Sequence, residues 1–289
     1  DQSCHFMNID AHQHFWNYTA DDYPWISSGM ERLAHNYLPP HLIKITQPHN
    51  ITGSVAVQAR QSTHETEWLL QLADEHNFIR GVVGWVDLRH PEVEKDLERF
   101  SQHDKFVGVR HVVQDEPDPR FLLRDNFLHG ISQLSKYDLT YDILIFPNQL
   151  PAACEFVKLF PNQRFVLDHM AKPDIEHHNL SEWKRGFDAL AEHDNVVCKV
   201  SGLVTEANWK VWHQRDFTPY LDAALEAFGP ERLLFGSDWP VCLLSAEYAE
   251  VLCIANSLID RVSLHEAKAI RGLNTCLLYT SDAADELLG

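Results

Sequence analysis

Ile9-Asp10-Ala11-His12-Gln13-His14 sets two imidazoles two residues apart at the end of a short apolar run. Alternate residues of an extended strand face the same way, so both rings can address one point. Alone, an HxH spacing is weak, because paired histidines often do no more than bond backbone carbonyls. Four further runs end in polar residues: Gln58 after the second, Arg110-His111 at the fourth, Asp168-His169 at the sixth, and Asp238 within Gly236-Ser237-Asp238-Trp239-Pro240 at the eighth. Each has a structural explanation: rim ion pairs for Arg110, Asp168 and Asp238, a capping or carbonyl-bonded role for His169. Gathering them all into one interior costs free energy unless they are paired or used, which favours a functional reading of the set. Three histidines and an aspartate are also the donors of a four-coordinate zinc site open to water. Lys172, just past His169, is either a cation for an oxyanion or a surface lysine.

The elements that must position these residues read as eight β-branched runs, each followed by a turn and a helical pattern, the signature of parallel βαβ units. Strands are expected near 8–12, 53–58, 81–86, 107–113, 140–145, 164–168, 196–200 and 233–236. Glu65 to His76 puts Trp68, Leu69, Leu72 and Ala73 on one helical face. Similar patterns occupy 92–100, 152–160, 181–191, 219–227 and 246–258, with Asn179 or Ser181 as a cap and Gly229-Pro230 as a stop. This predicts a single-domain α/β fold, a (β/α)8 TIM barrel, with an open doubly wound sheet as the alternative because periodicity does not report closure. The stretch 17–50, flanked or occupied by Trp16, Tyr18, Tyr23, Trp25 and Tyr37, is too long for an ordinary βα connection. It is either a cover for a site or an insertion with its own aromatic minicore.

With 24 basic and 42 acidic residues the formal charge is −18 over 289 residues, which argues against nucleic acid or an anionic membrane as partner. The apolar runs are strand-length, far short of a membrane helix. No secretory pattern precedes Met7, so a cytoplasmic location is expected. The six cysteines show no CxxC spacing and read as mostly buried thiols. Ser237 lacks a GxSxG setting, and no GxGxxG or Walker sequence follows a strand.

The segments IDAHQHFW, GVRHVVQDEPDPRFL, LTYDILIFPNQLP, FVLDHMAKP, KVSGLVTEA and LLFGSDWPVC resemble the amidohydrolase superfamily. The resemblance is to its metal-sparse lactonase branch, which includes fuconolactone, rhamnonolactone and pyrone-dicarboxylate lactone hydrolases. It spans 7–274, so residues 1–6 are expected to be a non-native leader. Residues 275–289, which read like translated cloning sequence, are expected to be a non-native tail.

The resemblance implies a hydrolase opening a sugar lactone such as fuconolactone, with His12, His14, His169 and Asp238 catalytic. Asp238 is then the general base for water attack on the carbonyl. Gln58, Arg110, His111, Lys172, Trp25 and Trp239 are candidates for substrate binding, the two tryptophans as apolar faces for a sugar ring or else as core. No metal is strictly required on this reading; one divalent ion, zinc, would take His12, His14, His169 and Asp238. Arg110-His111 stands where a bridging ligand is usual, which argues against a binuclear centre. A homo-oligomer is compatible with the sequence. The alternatives are a metal-dependent decarboxylase of the same superfamily and a noncatalytic sugar-acid binding barrel.

Overall fold

The computed structural model describes residues 7–279. Residues 1–6 and 280–289, which hold the expected leader and most of the expected tail, lie outside them. Eight parallel strands run in sequential order: β1 (Ile9–Gln13), β2 (Gly53–Val57), β3 (Ile79–Gly84), β4 (Phe106–His111), β5 (Thr140–Ile143), β6 (Phe165–Leu167), β7 (Val196–Val200) and β8 (Leu233–Phe235). They form a (β/α)8 barrel and not an open sheet, because β8 returns to β1. The Trp239 carbonyl accepts from His14 N at 2.7 Å, the His12 carbonyl from Asp238 N at 2.8 Å, and Gln13 and Trp239 form a parallel bridge.

Buried side chains reinforce this seam. Asp10 accepts from Ser237 N at 2.9 Å, the Ser237 hydroxyl at 2.5 Å and the Tyr248 hydroxyl at 3.0 Å. Burial pushes its carboxyl up to about 6 against those hydrogen bonds.

The surrounding helices are α1 (Pro39–Thr46), α2 (Thr63–Glu75), α3 (Val93–Ser101), α4 (Asp125–Ser132), α5 (Leu150–Lys158), α6 (Ser181–Ala191), α7 (Gln214–Phe228), α8 (Tyr248–Ile259), α9 (Leu264–Lys268) and α10 (Asn274–Tyr279). Each long helix buries one stripe on the barrel, as Leu69, Leu72 and Ala73 do in α2. Gly229, with φ +70, ends α7 as expected. The expected cap of α6 is corrected: Leu180 holds that position, with no side-chain cap. No helix among the described residues is long and apolar enough to cross a membrane.

The stretch 17–50 carries α1 and fulfils both of its readings. Tyr23, Trp25 and Tyr37 pack edge to face or tilted around Trp16, while Trp25 also faces the cavity at the strand C-termini. Glu65, nine-tenths or more buried at the start of α2, holds the loop after β2 by accepting from Ala59 N and Arg60 N at 3.0 and 3.2 Å.

Burial raises the Glu65 carboxyl to about 8, opposed by those two hydrogen bonds. A raised folded-state pKa contributes stability that is present below the unfolded pKa, 4.5, and is lost as pH rises through about 8. The melting temperature should therefore fall from pH 5 to pH 8 by a margin that Glu65→Gln removes. Parallel melting curves of the two proteins across that window, with a constant offset, would show that Glu65 is not responsible.

Candidate active site

Alternation along β1 turns His12 and His14 to one side, and both rings meet Asp238 from the turn after β8. The Asp238 Oδ1 atom lies 3.2 Å from His14 Nε2, 3.7 Å from His12 Nε2 and 3.8 Å from His169 Nε2; the two β1 rings approach at 3.2 Å, Nε2 to Nε2. All four side chains are buried.

His169 reaches this cluster through an unusual backbone. His169, Met170, Ala171 and Lys172 all have φ between 50 and 59°, the left-handed region that costs L-residues about 1–2 kcal/mol each. The Lys172 amide bonds the His169 carbonyl at 2.8 Å, and the Trp183 indole bonds the Met170 carbonyl at 2.7 Å, which hold the turn. The turn sends the His169 ring and the Lys172 ammonium into the same cavity. Gly202, with φ +64, flanks the His169 ring so closely that a Cβ there would stand 2.5 Å from Nδ1. Only glycine fits both constraints.

The ring protons follow from their partners. His14 Nδ1 lies 2.8 Å from the Val57 carbonyl, which only accepts, so Nδ1 carries the proton and Nε2 presents a lone pair. His169 Nδ1 pairs with the Ser201 hydroxyl at 2.7 Å. His12 Nδ1 lies 3.1 Å from the ammonium of Lys199, which only donates, and its proton belongs on Nε2. Burial lowers all three rings below the usual histidine range; for His12 the Lys199 charge adds to it, while for His14 and His169 Asp238 opposes it. Burial alone would raise the Asp238 carboxyl, but His169, His14 and Lys172 hold it down to about 2. Near neutral pH the cluster is an ionised carboxylate among neutral imidazoles.

Beneath it the barrel interior is ionic. Lys199 Nζ, fully buried, lies 2.7 Å from Asp142 Oδ2 and 3.3 Å from Asp168 Oδ1. Arg110 donates to Asp168 Oδ2 at 3.1 Å, to the Gln58 carbonyl at 2.8 Å and to Gln58 Oε1 at 2.7 Å. Burial and the neighbouring Asp142 push the Asp168 carboxyl up against the pull of Lys199 and Arg110. Tyr279, the last described residue, donates to Asp142 Oδ1 at 2.7 Å. Residues 275–279 of the stretch expected to be foreign are helical, and all of them but Leu277 are buried against the barrel.

Among the described residues two donor groups have spacing that could hold a cation: His12, His14 and Asp238, and His12, Asp142 and Asp168. The second is already filled by the Lys199 ammonium. The first has the spacing of a zinc site, whose tetrahedral ligands at about 2.0–2.1 Å sit roughly 3.3 Å apart. His14, His169 and Asp238 can offer lone pairs there, whereas Lys199 opposes one on His12 Nε2.

The cavity, about 770 Å³, is lined at its floor by His14, Arg110, His169, Lys172 and Asp238, with Trp25 in its wall. His12 lies one layer down against that floor. Three sequence candidates for substrate contact do not reach the cavity. His111 follows Arg110 on β4 and so points outward, stacked on Phe121 at 4.8 Å and bonded to Glu116 at 2.9 Å. Trp239 turns away from Asp238 and packs on Phe15 and Tyr37. Gln58 is spent holding Arg110 and the Arg60 carbonyl. Sequence reasoning missed Lys199, Asp142, Ser201 and Glu206, the last facing the cavity 4.0 Å from Lys172.

Residues 9–279 match the amidohydrolase family. A protein of Burkholderia multivorans named L-fucono-1,5-lactonase is 43% identical over 284 residues, covering 94% of this chain and 96% of that protein. A Burkholderia ambifaria protein of the same name is 34% identical over 280 residues, covering 96% of each. The crystal structure of an amidohydrolase from B. multivorans with bound zinc is 42% identical and superposes with a TM-score of 0.92 over 94% of this chain and 99% of that one.

Proposed function

Because the chain belongs to the amidohydrolase family, we propose that it is a carboxylic-ester hydrolase that opens a sugar lactone to the sugar acid, with L-fucono-1,5-lactone as the type of substrate. The observation that carries this reading is the Asp238 carboxylate, held ionised among three imidazoles at the floor of a cavity sized for a small molecule.

Asp238 is the general base. It takes a proton from water as the water oxygen attacks the lactone carbonyl, and returns it to the ring oxygen as the C–O bond breaks. Arg110 and Lys172, the two cations lining the floor, stabilise the tetrahedral oxyanion. The bond from Asp238 N to the His12 carbonyl sets the carboxylate beside the three rings, and His12 braces His14 through its Nε2 proton. Trp25 supplies an apolar face to the sugar ring. Gln58 acts through Arg110, as a positioning residue. The barrel proper is proposed to span 7–274 as a single domain.

A zinc ion, when bound, would be held by His14, His169 and Asp238, with His12 adjacent, and would polarise the carbonyl or acidify water. The Lys199 contact on His12 works against full ligation, so the ion is optional. A pH-indicator hydrolysis screen across aldonolactones tests the function, and aromatic-acid turnover without lactone turnover would favour a decarboxylase instead. The same screen after exhaustive chelation, with metal content measured, should retain most of the activity. Activity that disappears with the metal and returns in proportion to added zinc would overturn the metal-optional reading.

A further inference from the structure

The lactonase chemistry uses only the cavity floor. A single sugar lactone fills on the order of 200 Å³ at the packing density of organic crystals, against a cavity of about 770 Å³. The surplus lies toward the mouth, and its lining is specific. Phe146 follows β5, Lys172 follows β6 and Trp209 follows β7, so these three come from adjacent loops on one side of the barrel. Phe146 and Trp209 are 36% and 37% exposed, and no other Phe, Trp or Tyr among the described residues is as open to solvent. Neither is loose: the Trp209 indole donates to the Thr205 carbonyl at 2.8 Å, and Lys172 Nζ stands 5.4 Å from the centre of the Phe146 ring.

The same mouth carries the carboxylates of Asp21 and Asp115. Exposed aromatic faces beside hydrogen-bond acceptors match a neutral sugar, whose C–H face packs on a ring while its hydroxyls donate. A fatty tail would strip water from the carboxylates without replacing its hydrogen bonds, and an anionic extension would meet a lining in which Asp21, Asp22, Asp115, Glu116 and Glu206 outnumber Arg60 and Lys172. Ring geometry supplies the direction. In a six-membered aldonolactone C4 lies across the ring from the carbonyl carbon C1, so with C1 on the floor a substituent on O4 projects to the mouth.

We propose that the enzyme also takes aldono-1,5-lactones bearing a second neutral sugar on O4, of the kind formed when the reducing end of a disaccharide is oxidised, with that second ring seated on Phe146 and Trp209. This rests on the lactonase reading. The reaction is unchanged: water adds to C1, the C1–O5 bond breaks, O5 takes the proton, and the glycosidic bond survives in a glycosylated aldonate.

The test compares the aldono-1,5-lactone hydrolysed fastest with its 4-O-β-D-glucopyranosyl derivative, reading the ratio of kcat/KM values after subtracting spontaneous hydrolysis. In the parent the glycosylated lactone should be hydrolysed at least as efficiently as the bare one. Trp209→Ala and Phe146→Ala should each lower the ratio by roughly tenfold, the size of one lost stacking contact. If the bare lactone is hydrolysed and the glycosylated one is not, or if both variants keep the parental ratio, the second-ring site is wrong while the lactonase reading stands. If no lactone is hydrolysed at all, the lactonase reading fails, and the extended substrate falls with it.

Discussion

Asp238→Asn should abolish most of the turnover while leaving substrate affinity nearly intact. The amide keeps the shape of the carboxylate, and its NH2 can donate to the lone pair of His14 Nε2, which lies 3.2 Å from Oδ1, but it cannot accept the proton of the attacking water. General-base assistance is typically worth ~10²- to 10⁴-fold, and kcat should fall by that order with a far smaller change in KM. The base is held at about 2, so it is already ionised throughout the mildly acidic range, and an activity loss near pH 5 to 6 reports some other group. Steady-state kinetics on the best lactone, with both proteins shown to melt alike, decides the matter. A variant turning over at close to the parental rate would remove Asp238 from the base role and make His169 the next group to test.

The second large effect belongs to stability. Lys199→Met keeps the length of the side chain and deletes the cation lying 2.7 Å from Asp142 and 3.3 Å from Asp168. Breaking one side of a buried ionic cluster typically costs about 3–5 kcal/mol, because the remaining charge is left uncompensated. For a chain of this size that is a fall of roughly 6–20 °C in melting temperature. Lys199→Met combined with Asp142→Asn removes one charge of each sign and should recover a substantial part of the loss. A single variant that melts with the parent would mean that the cluster is not the ionic core described above. A double variant no better than the single would mean that the lost contact on His12, not the orphaned carboxylate, dominates.

The strand count, the barrel and the convergence of His12, His14, His169 and Asp238 were legible because strand-end polar residues in a parallel barrel share one face. The place of His111 was legible from the period of the strand: Arg110 and His111 are neighbours on β4, so one must turn out when the other turns in. Trp239, in the turn beyond β8, takes the core alternative of its two readings, packed on Phe15 and Tyr37. Lys199 was legible in principle: within Val-Val-Cys-Lys-Val a charged residue on a buried strand demands a partner. What the sequence could not show was which carboxylates answer it, since Asp142 and Asp168 lie on other strands and only closure brings them together. The left-handed turn at 169–172 was also hidden, as none of its four residues is glycine and tertiary contacts impose it.

The seam between the first and last strands has a consequence for synthesis. His14 and Asp238 are 224 residues apart, and a ribosome adding about 5–20 residues per second separates their emergence by roughly 10 to 45 s. Through that interval β1 has no partner on one side, and Asp10, His12 and His14 lack the groups that satisfy them in the finished barrel. The nascent chain must carry an apolar, half-paired sheet until β8 arrives, which makes it a natural client for chaperones. Synonymous codons that slow the ribosome late in the message would lengthen that exposure and cost soluble yield without altering a single residue.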